Sequence, residues 1–221
     1  MAIKPILFNT DMVRAILDGR KSCTRRAVKY KYSNTEMKIK SDKYGSGLIE
    51  IQKDVEGETY GKNPDGSTWH KLLPYIEKIP PYKKGDILYV RETWYKGLER
   101  YIYRADYSDT EKFYCNGKEI EMKWHPSIHM PKEAARIWLK VTNVRVERLQ
   151  EITGLSVQKE GIEVDPKEYA SKFDFITELF FLFQRLWDST IKKSDVDRYG
   201  WDANPWVWVI EFERCEKPEI N

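Results

Sequence analysis

Lys21 and Thr24 lie in the stretch GRKSCTRR, residues 19 to 26, and their spacing is the first sign of chemistry in this chain. A lysine stands three residues before a hydroxyl, with Arg20, Arg25 and Arg26 close by in sequence. A free lysine, with a pKa of about 10.4, is almost fully protonated at neutral pH, and nearby cations and burial lower that value. Two like charges about 6 Å apart at an effective dielectric near 20 repel by roughly 3 kcal/mol, about two pKa units as an upper bound. Crowded in this way, Lys21 becomes a base or nucleophile. The same residues also read as a phosphate contact with Arg25 and Arg26 as companions, or as a solvated basic loop in which Thr24 only caps a turn.

Other reactive groups are more scattered. Cys23 sits among cations, which is the setting of a lowered-pKa thiol, but no histidine is close in sequence. His125 and His129 are four residues apart, a metal-like interval. Pro126 disfavours a helix there and no Cys-x-x-Cys accompanies them, so they read instead as ordering a connection or, for His129, lining a binding cleft. Arg91 and Trp94 close the strand of KKGDILYVRETW, where Trp94 is placed to wall a stacking site for a base. Gly-x-Gly-x-x-Gly and phosphate-loop patterns are absent from the sequence, so neither a cofactor nor a metal is expected.

The elements that must position these groups fit one domain over residues 1 to 221. Hydrophobic residues make up 41% of the chain, enough for a core, and 8 Trp, 14 Tyr and 8 Phe favour a compact, partly β fold. The net charge is only +3, but residues 20 to 43 hold nine Lys or Arg against Glu36 and Asp42. Such a local excess attracts phosphate even where the total balances. Three widely spaced cysteines, no stretch of roughly 18 apolar residues and no cleavable leader point to a reducing cytoplasm and no membrane span.

IKPILF reads as a buried strand and NTDMVRAILDG as a helix capped by Asn9 or Thr10, with Gly19 as its left-handed exit. Residues 27 to 80 are polar and read as an insertion. ARIWLKVTNVRVERL reads as a strand pair turning near Asn143. EITGLSVQKEG is a short helix capped by Thr153 and stopped at Gly161. KEYASKFDFITELFFLFQRLWDS is a longer helix whose buried side is Phe173, Ile176, Leu179, Phe180, Phe183 and Leu186, with a leftover apolar face available for a dimer. NPWVWVIEFER closes as a strand with Trp206 and Trp208 on one face. About six mostly antiparallel strands and three helices imply an α+β fold, a small barrel or curled sheet with helices outside.

ILDGRKSCTRR resembles the Gly-x-Lys-x-x-Thr-x-Arg element of ASCH domains, members of the PUA-like superfamily, with Gly19, Lys21, Thr24 and Arg26 in its fixed slots. KKGDILYVRETW, RLQEITGLSVQKEG and WDANPWVWVIEFE resemble later elements of that family, in order, and the chain looks like a long ASCH protein of the kind found in phages and prophages. The resemblance implies a PUA-like barrel with a cleft around Lys21 facing RNA or a modified nucleoside, and Arg20, Arg25, Arg26, Arg91, Trp94 and His129 are the candidate contacts. It further implies, from small amidohydrolases of the family that act on N4-acetylcytidine, a catalytic group of Lys21, Thr24 and Glu160. Recognition is the leading expectation, amide hydrolysis the alternative, and ribonuclease activity a third. Ser22 and Cys23 depart from the family pattern.

Overall fold

The computed structural model describes residues 1–33, 35–42, 45–52, 59–62, 68–70, 76–115, 117–165, 167 and 171–219. In chain order its elements begin with β1 (Ile3–Leu7), α1 (Thr10–Leu17) and β2 (Cys23–Ala27). Then follow β3 (Thr35–Asp42), β4 (Gly45–Gln52), β5 (Thr59–Lys62), β6 (Thr68–His70) and β7 (Ile76–Glu77), in the stretch expected to be an insertion. Next come β8 (Ile87–Arg91), β9 (Trp94–Lys96), β10 (Tyr101–Tyr103), β11 (Phe113–Cys115), β12 (Lys118–Ile120) and β13 (Trp138–Arg148). The chain ends with α2 (Gly154–Lys159), α3 (Lys172–Ser189), α4 (Val196–Tyr199) and β14 (Trp206–Cys215).

The central sheet runs β1-β8-β13-β14-β2. Its pairs are antiparallel except β1 with β8, which run parallel. The fold is therefore α+β with a mostly antiparallel sheet, and among the described residues the sheet does not close into a barrel: β1 and β2 are its two edges. Side chains draw those edges together. Arg26 donates from Nη2 to the Leu7 carbonyl at 2.8 Å, and its guanidinium lies 5.5 Å from the centroid of the Phe8 ring.

The expected strand pair around Asn143 is instead one strand, β13, eleven residues long, which pairs with β14 along its whole length. The polar residue that reads as a turn sits at a register shift between Val141 and Asn143. A bulge accommodates one extra residue without reversing the strand. Helix α3 begins later than expected, capped by Ser171, whose hydroxyl accepts the Asp174 N–H. Its buried stripe is Leu179, Phe183 and Trp187, four residues apart. Phe173 stands about 80° off that stripe at 100° per residue and is 77% exposed.

Hydrophobic residues of the insertion join the main core. Met37 and Leu48 pack in the same cluster as Ile6, Leu88, Val141 and Ile210. A buried carboxylate anchors the junction: Glu50, on β4, accepts the backbone N–H groups of Lys31 and Tyr32, the Thr35 hydroxyl and the Lys78 ammonium. Burial alone would raise its pKa, but these donors outweigh it and hold the Glu50 carboxyl down at about 2, against an ordinary 4.5.

Because the folded pKa is depressed, the stabilisation is present above about pH 4.5 and is lost as the pH falls toward 2. Glu50→Gln is expected to lower the unfolding free energy near neutrality by about 3 kcal/mol, and the gap to the wild type should shrink between pH 5 and pH 2. Urea denaturation of both proteins across that range measures it.

Candidate active site

Two chain turns carry the candidate site. Helix α1 has Asn9 as N-cap, its side chain accepting the Met12 N–H, and exits through Gly19 at φ 77°. Lys21 then bonds back to the helix, its N–H donating to the Ala15 carbonyl at 2.9 Å. Helix α2 is capped by Thr153 and ends on Glu160, with Gly161 at φ 91°. The two exits meet in a single bridge between Lys21 and Glu160, reinforced by Ser22 N–H to the Lys159 carbonyl at 2.9 Å. Glycine is required at 161 for a second reason: a Cβ there would lie 2.7 Å from Ala15 Cβ and 3.0 Å from Lys21 Cβ.

Lys21 is fully buried at its side chain. Its Nζ donates to Glu160 Oε2 at 2.7 Å and to the Glu160 carbonyl at 2.8 Å, a cation at a helix C-terminus. The other carboxylate oxygen, Oε1, accepts from Arg25 Nη1 at 3.0 Å. Arg25 also donates to Glu147 Oε1 from Nε and Nη2, at 3.1 and 2.7 Å. Arg145 holds Glu147 Oε2 and Glu211 Oε1, so charges alternate from Lys21 to Glu211. Burial works against the charge on Arg25, but Glu160 and Glu147 more than offset it and raise its pKa.

This arrangement changes the expected role of Lys21. Each neighbouring arginine is held by acceptors of its own, and Arg25 shares the Glu160 carboxylate with Lys21. Arg20 bonds Asp18, Glu163 and the Gly161 carbonyl; Arg25 serves the two glutamates; Arg26 reaches Leu7. The charged partner of Lys21 is a carboxylate, and its burial removes it from any phosphate at the surface. The Cys23 thiol is likewise no lowered-pKa nucleophile. Burial first, and then the Glu160 carboxylate at 3.6 Å, push it up to about 12.

Thr24, 1% exposed, makes no side-chain hydrogen bond among the described residues. With Glu160, Arg25 and Arg26 it lines a cavity of about 20 Å³, room for roughly one water. The far wall is helix α3, through Phe183, Leu186, Trp187 and Thr190. Lys21, Thr24 and Glu160 are thus brought together, with Lys21 behind the carboxylate and Thr24 beside it.

The other sequence candidates lie elsewhere. The Arg91 guanidinium is engaged by the carbonyls of Met130 and Ile128. Trp94 is not an open stacking wall: it is 8% exposed, packed in a core cluster with Met130 and against the rings of Tyr101 and His125. It lies inside because β9 pairs with β10 and folds its indole under the 125–135 connection. His129 lies exposed in the turn Ser127–His129, while His125 is stacked on Tyr95. Among the described residues no three His, Cys, Asp or Glu side chains are grouped to hold a metal. Glu147 and Arg145 escape a sequence reading, although their alternation on β13 in VRVER is the signal that both point to one face. No protein-family model, curated protein or solved structure matches the chain.

Replacing Glu160 by Gln leaves Lys21 buried without a carboxylate, and breaking such a pair costs about 3–5 kcal/mol. Glu160→Gln is therefore expected to destabilise the fold more than Glu147→Gln, where Arg25 keeps Glu160; thermal and urea unfolding compare them. Cys23 should resist iodoacetamide at pH 8 in the native protein and alkylate once urea unfolds it, as peptide mass spectrometry would read.

Proposed function

We propose that this chain is a PUA-like protein of the ASCH type that takes a modified nucleoside at the Thr24–Glu160 cavity and hydrolyses its N4-acyl amide. The observation that carries the reading is a cavity lined by Thr24 and by Glu160, whose carboxylate is held from two sides by Lys21 and Arg25. Amide hydrolysis requires a base for water and a donor where negative charge develops. Glu160 retains acceptor capacity beyond its bonds to Lys21 and Arg25. In the proposed reaction it takes a proton from water as the oxygen attacks the acyl carbon. The Thr24 hydroxyl donates to the resulting oxyanion. The C–N bond then breaks, and the proton passes from Glu160 to the departing N4, giving the nucleoside and a carboxylic acid. Lys21 is a positioning residue here: it orients Glu160 and supplies the counter-charge.

A cavity for one water cannot hold a nucleoside, so the α3 face around Phe183 and Trp187 must move outward to admit one. The same tightness favours a second reading, recognition of RNA or a modified nucleoside around Lys21 without turnover. The two separate on a single assay. Protein incubated with N4-acetylcytidine and its longer acyl homologues is expected to release cytidine, and Thr24→Val to slow release about 100-fold with little change in KM. Binding without release by folded protein would leave recognition alone; unchanged turnover by Thr24→Val would remove Thr24 from the chemistry.

A further inference from the structure

Outward from the cavity the contacts run to a face rich in cations. The Trp187 indole, part of the cavity wall, donates to the Tyr199 carbonyl at 2.8 Å. The Tyr199 ring carries Lys29 on its face, Nζ 3.6 Å from the centroid, and its hydroxyl accepts the Tyr30 N–H. Arg198 lies 4.1 Å from the centroid of the Tyr30 ring, Arg148 4.5 Å from that of Trp206, and Lys31 5.4 Å from that of Tyr32.

These groups belong to one surface. Arg148 and Trp206 are opposed across β13 and β14, and Val28 N–H donates to the Trp206 carbonyl, which sets Lys29 beside them. Burial raises the Tyr30 pKa while Arg148 and Arg198 oppose the shift, so both guanidinium groups act on the same ring.

Among the described residues none of Lys29, Lys31, Arg148 and Arg198 forms a salt bridge. The guanidinium groups are oriented by carbonyls instead: Arg198 by that of Tyr32 at 2.7 Å, Arg148 by that of Asn204 at 3.0 Å. Nearby carboxylates do little to cancel them. Glu50 is paired with Lys78 inside, and Asp195, which acts on Lys29, is countered by Lys192; Glu151, which accepts the Arg148 backbone N–H, stays charged at the edge of the face. Elsewhere in the molecule Arg14, Arg20, Arg25, Arg104, Arg136 and Arg145 have carboxylate partners, while Arg26, Arg91 and Arg214, like Arg148 and Arg198, bond carbonyls.

We propose that this face binds a single-stranded polynucleotide, its phosphates on Lys29, Lys31, Arg148 and Arg198 and a base on the exposed ring of Tyr32. Cations fixed over aromatic rings neutralise a backbone, and an open ring face takes an unpaired base but not a paired one. Tyr32, 54% exposed, is such a face. The inference rests on the proposed function in one respect: it makes the modified nucleoside part of a strand. Lys29 follows Thr24 by five residues, about 16 Å at strand rise, so a strand on this face passes close to the cavity.

Fluorescence anisotropy tests it with a labelled strand of about 12 nucleotides, as RNA, as DNA and as duplex, in about 50 and 200 mM salt. The single strand is expected to bind more tightly than the duplex and, for four phosphate contacts, to weaken about 50-fold across that salt range. The RNA and DNA arms show which sugar the face accepts. The variant K29A/R148A/R198A should bind at least about tenfold more weakly in low salt, with a flatter salt dependence. If circular dichroism shows that variant to be unfolded, K29A/K31A, whose lysine side chains make no hydrogen bond, should still weaken binding severalfold. Equal binding by a folded variant, preference for duplex, or no binding in low salt overturns the proposal, as does capture by anionic vesicles in place of strands. Strand binding without hydrolysis of any acylated cytidine would keep this face and remove the enzymatic reading. Hydrolysis of the free nucleoside without strand binding would do the reverse.

Discussion

A carboxylate taken out of water is costly unless charged donors surround it, and Glu160 is surrounded. Lys21 and Arg25 bond its two oxygens separately, and Lys21 reaches its carbonyl as well. The ends of α1 and α2, the edge strand β2 and, through Glu147, the long strand β13 all meet at this one group. The constraint is geometric as much as electrostatic. Gly161 lets the α2 exit approach Ala15 and Lys21 to distances that a Cβ forbids. Losing one member strands a charge, whereas retaining all of them holds the Glu160 carboxylate at the wall of the cavity that Thr24 also lines.

A second buried carboxylate repeats the device at the insertion. Glu50 gathers two backbone N–H groups, a hydroxyl and an ammonium, and so ties β4 to the segment leaving β2. The segment it fixes, Lys29 to Tyr32, carries half of the unpartnered cations of the proposed strand-binding face. The Glu50 anchor thus sets how that segment leaves the sheet. The Thr24–Glu160 cavity lies at β2 and the cationic face begins on the segment that leaves it, with Trp187 and Tyr199 bridging them from the helical side.

Helix α3 stands over the cavity. Its stripe of Leu179, Phe183 and Trp187 packs on α2 and the inner residues of β14, in a cluster with Val157, Val207 and Val209. Apolar packing of this kind keeps bulk water from the Glu160 carboxylate, which strengthens each of its charged hydrogen bonds. The same packing restricts the space beside Thr24, so access and electrostatic strength oppose one another at this site.

Much of the local structure was legible in the residues. Asn9, Thr153 and Gly161 mark helix ends by their own chemistry, Gly85 marks the turn before β8, and the alternation of Val141, Val144 and Val146 marks a strand. Lys21 and Thr24, three residues apart, stay near one another however the surrounding chain folds. What the residues could not reveal were contacts between segments far apart in sequence. Whether Asn143 is a turn or a bulge depends on the partner strand, which lies 68 residues away at Glu211. Which carboxylates the arginines near Lys21 serve depends on Glu147, Glu160 and Glu163, each more than 120 residues on. Trp94 became core because the 125–135 connection folds over it. Sequence sets which groups are available and how each segment begins and ends; only tertiary structure decides which charges meet, since electrostatic partners are chosen by distance in space.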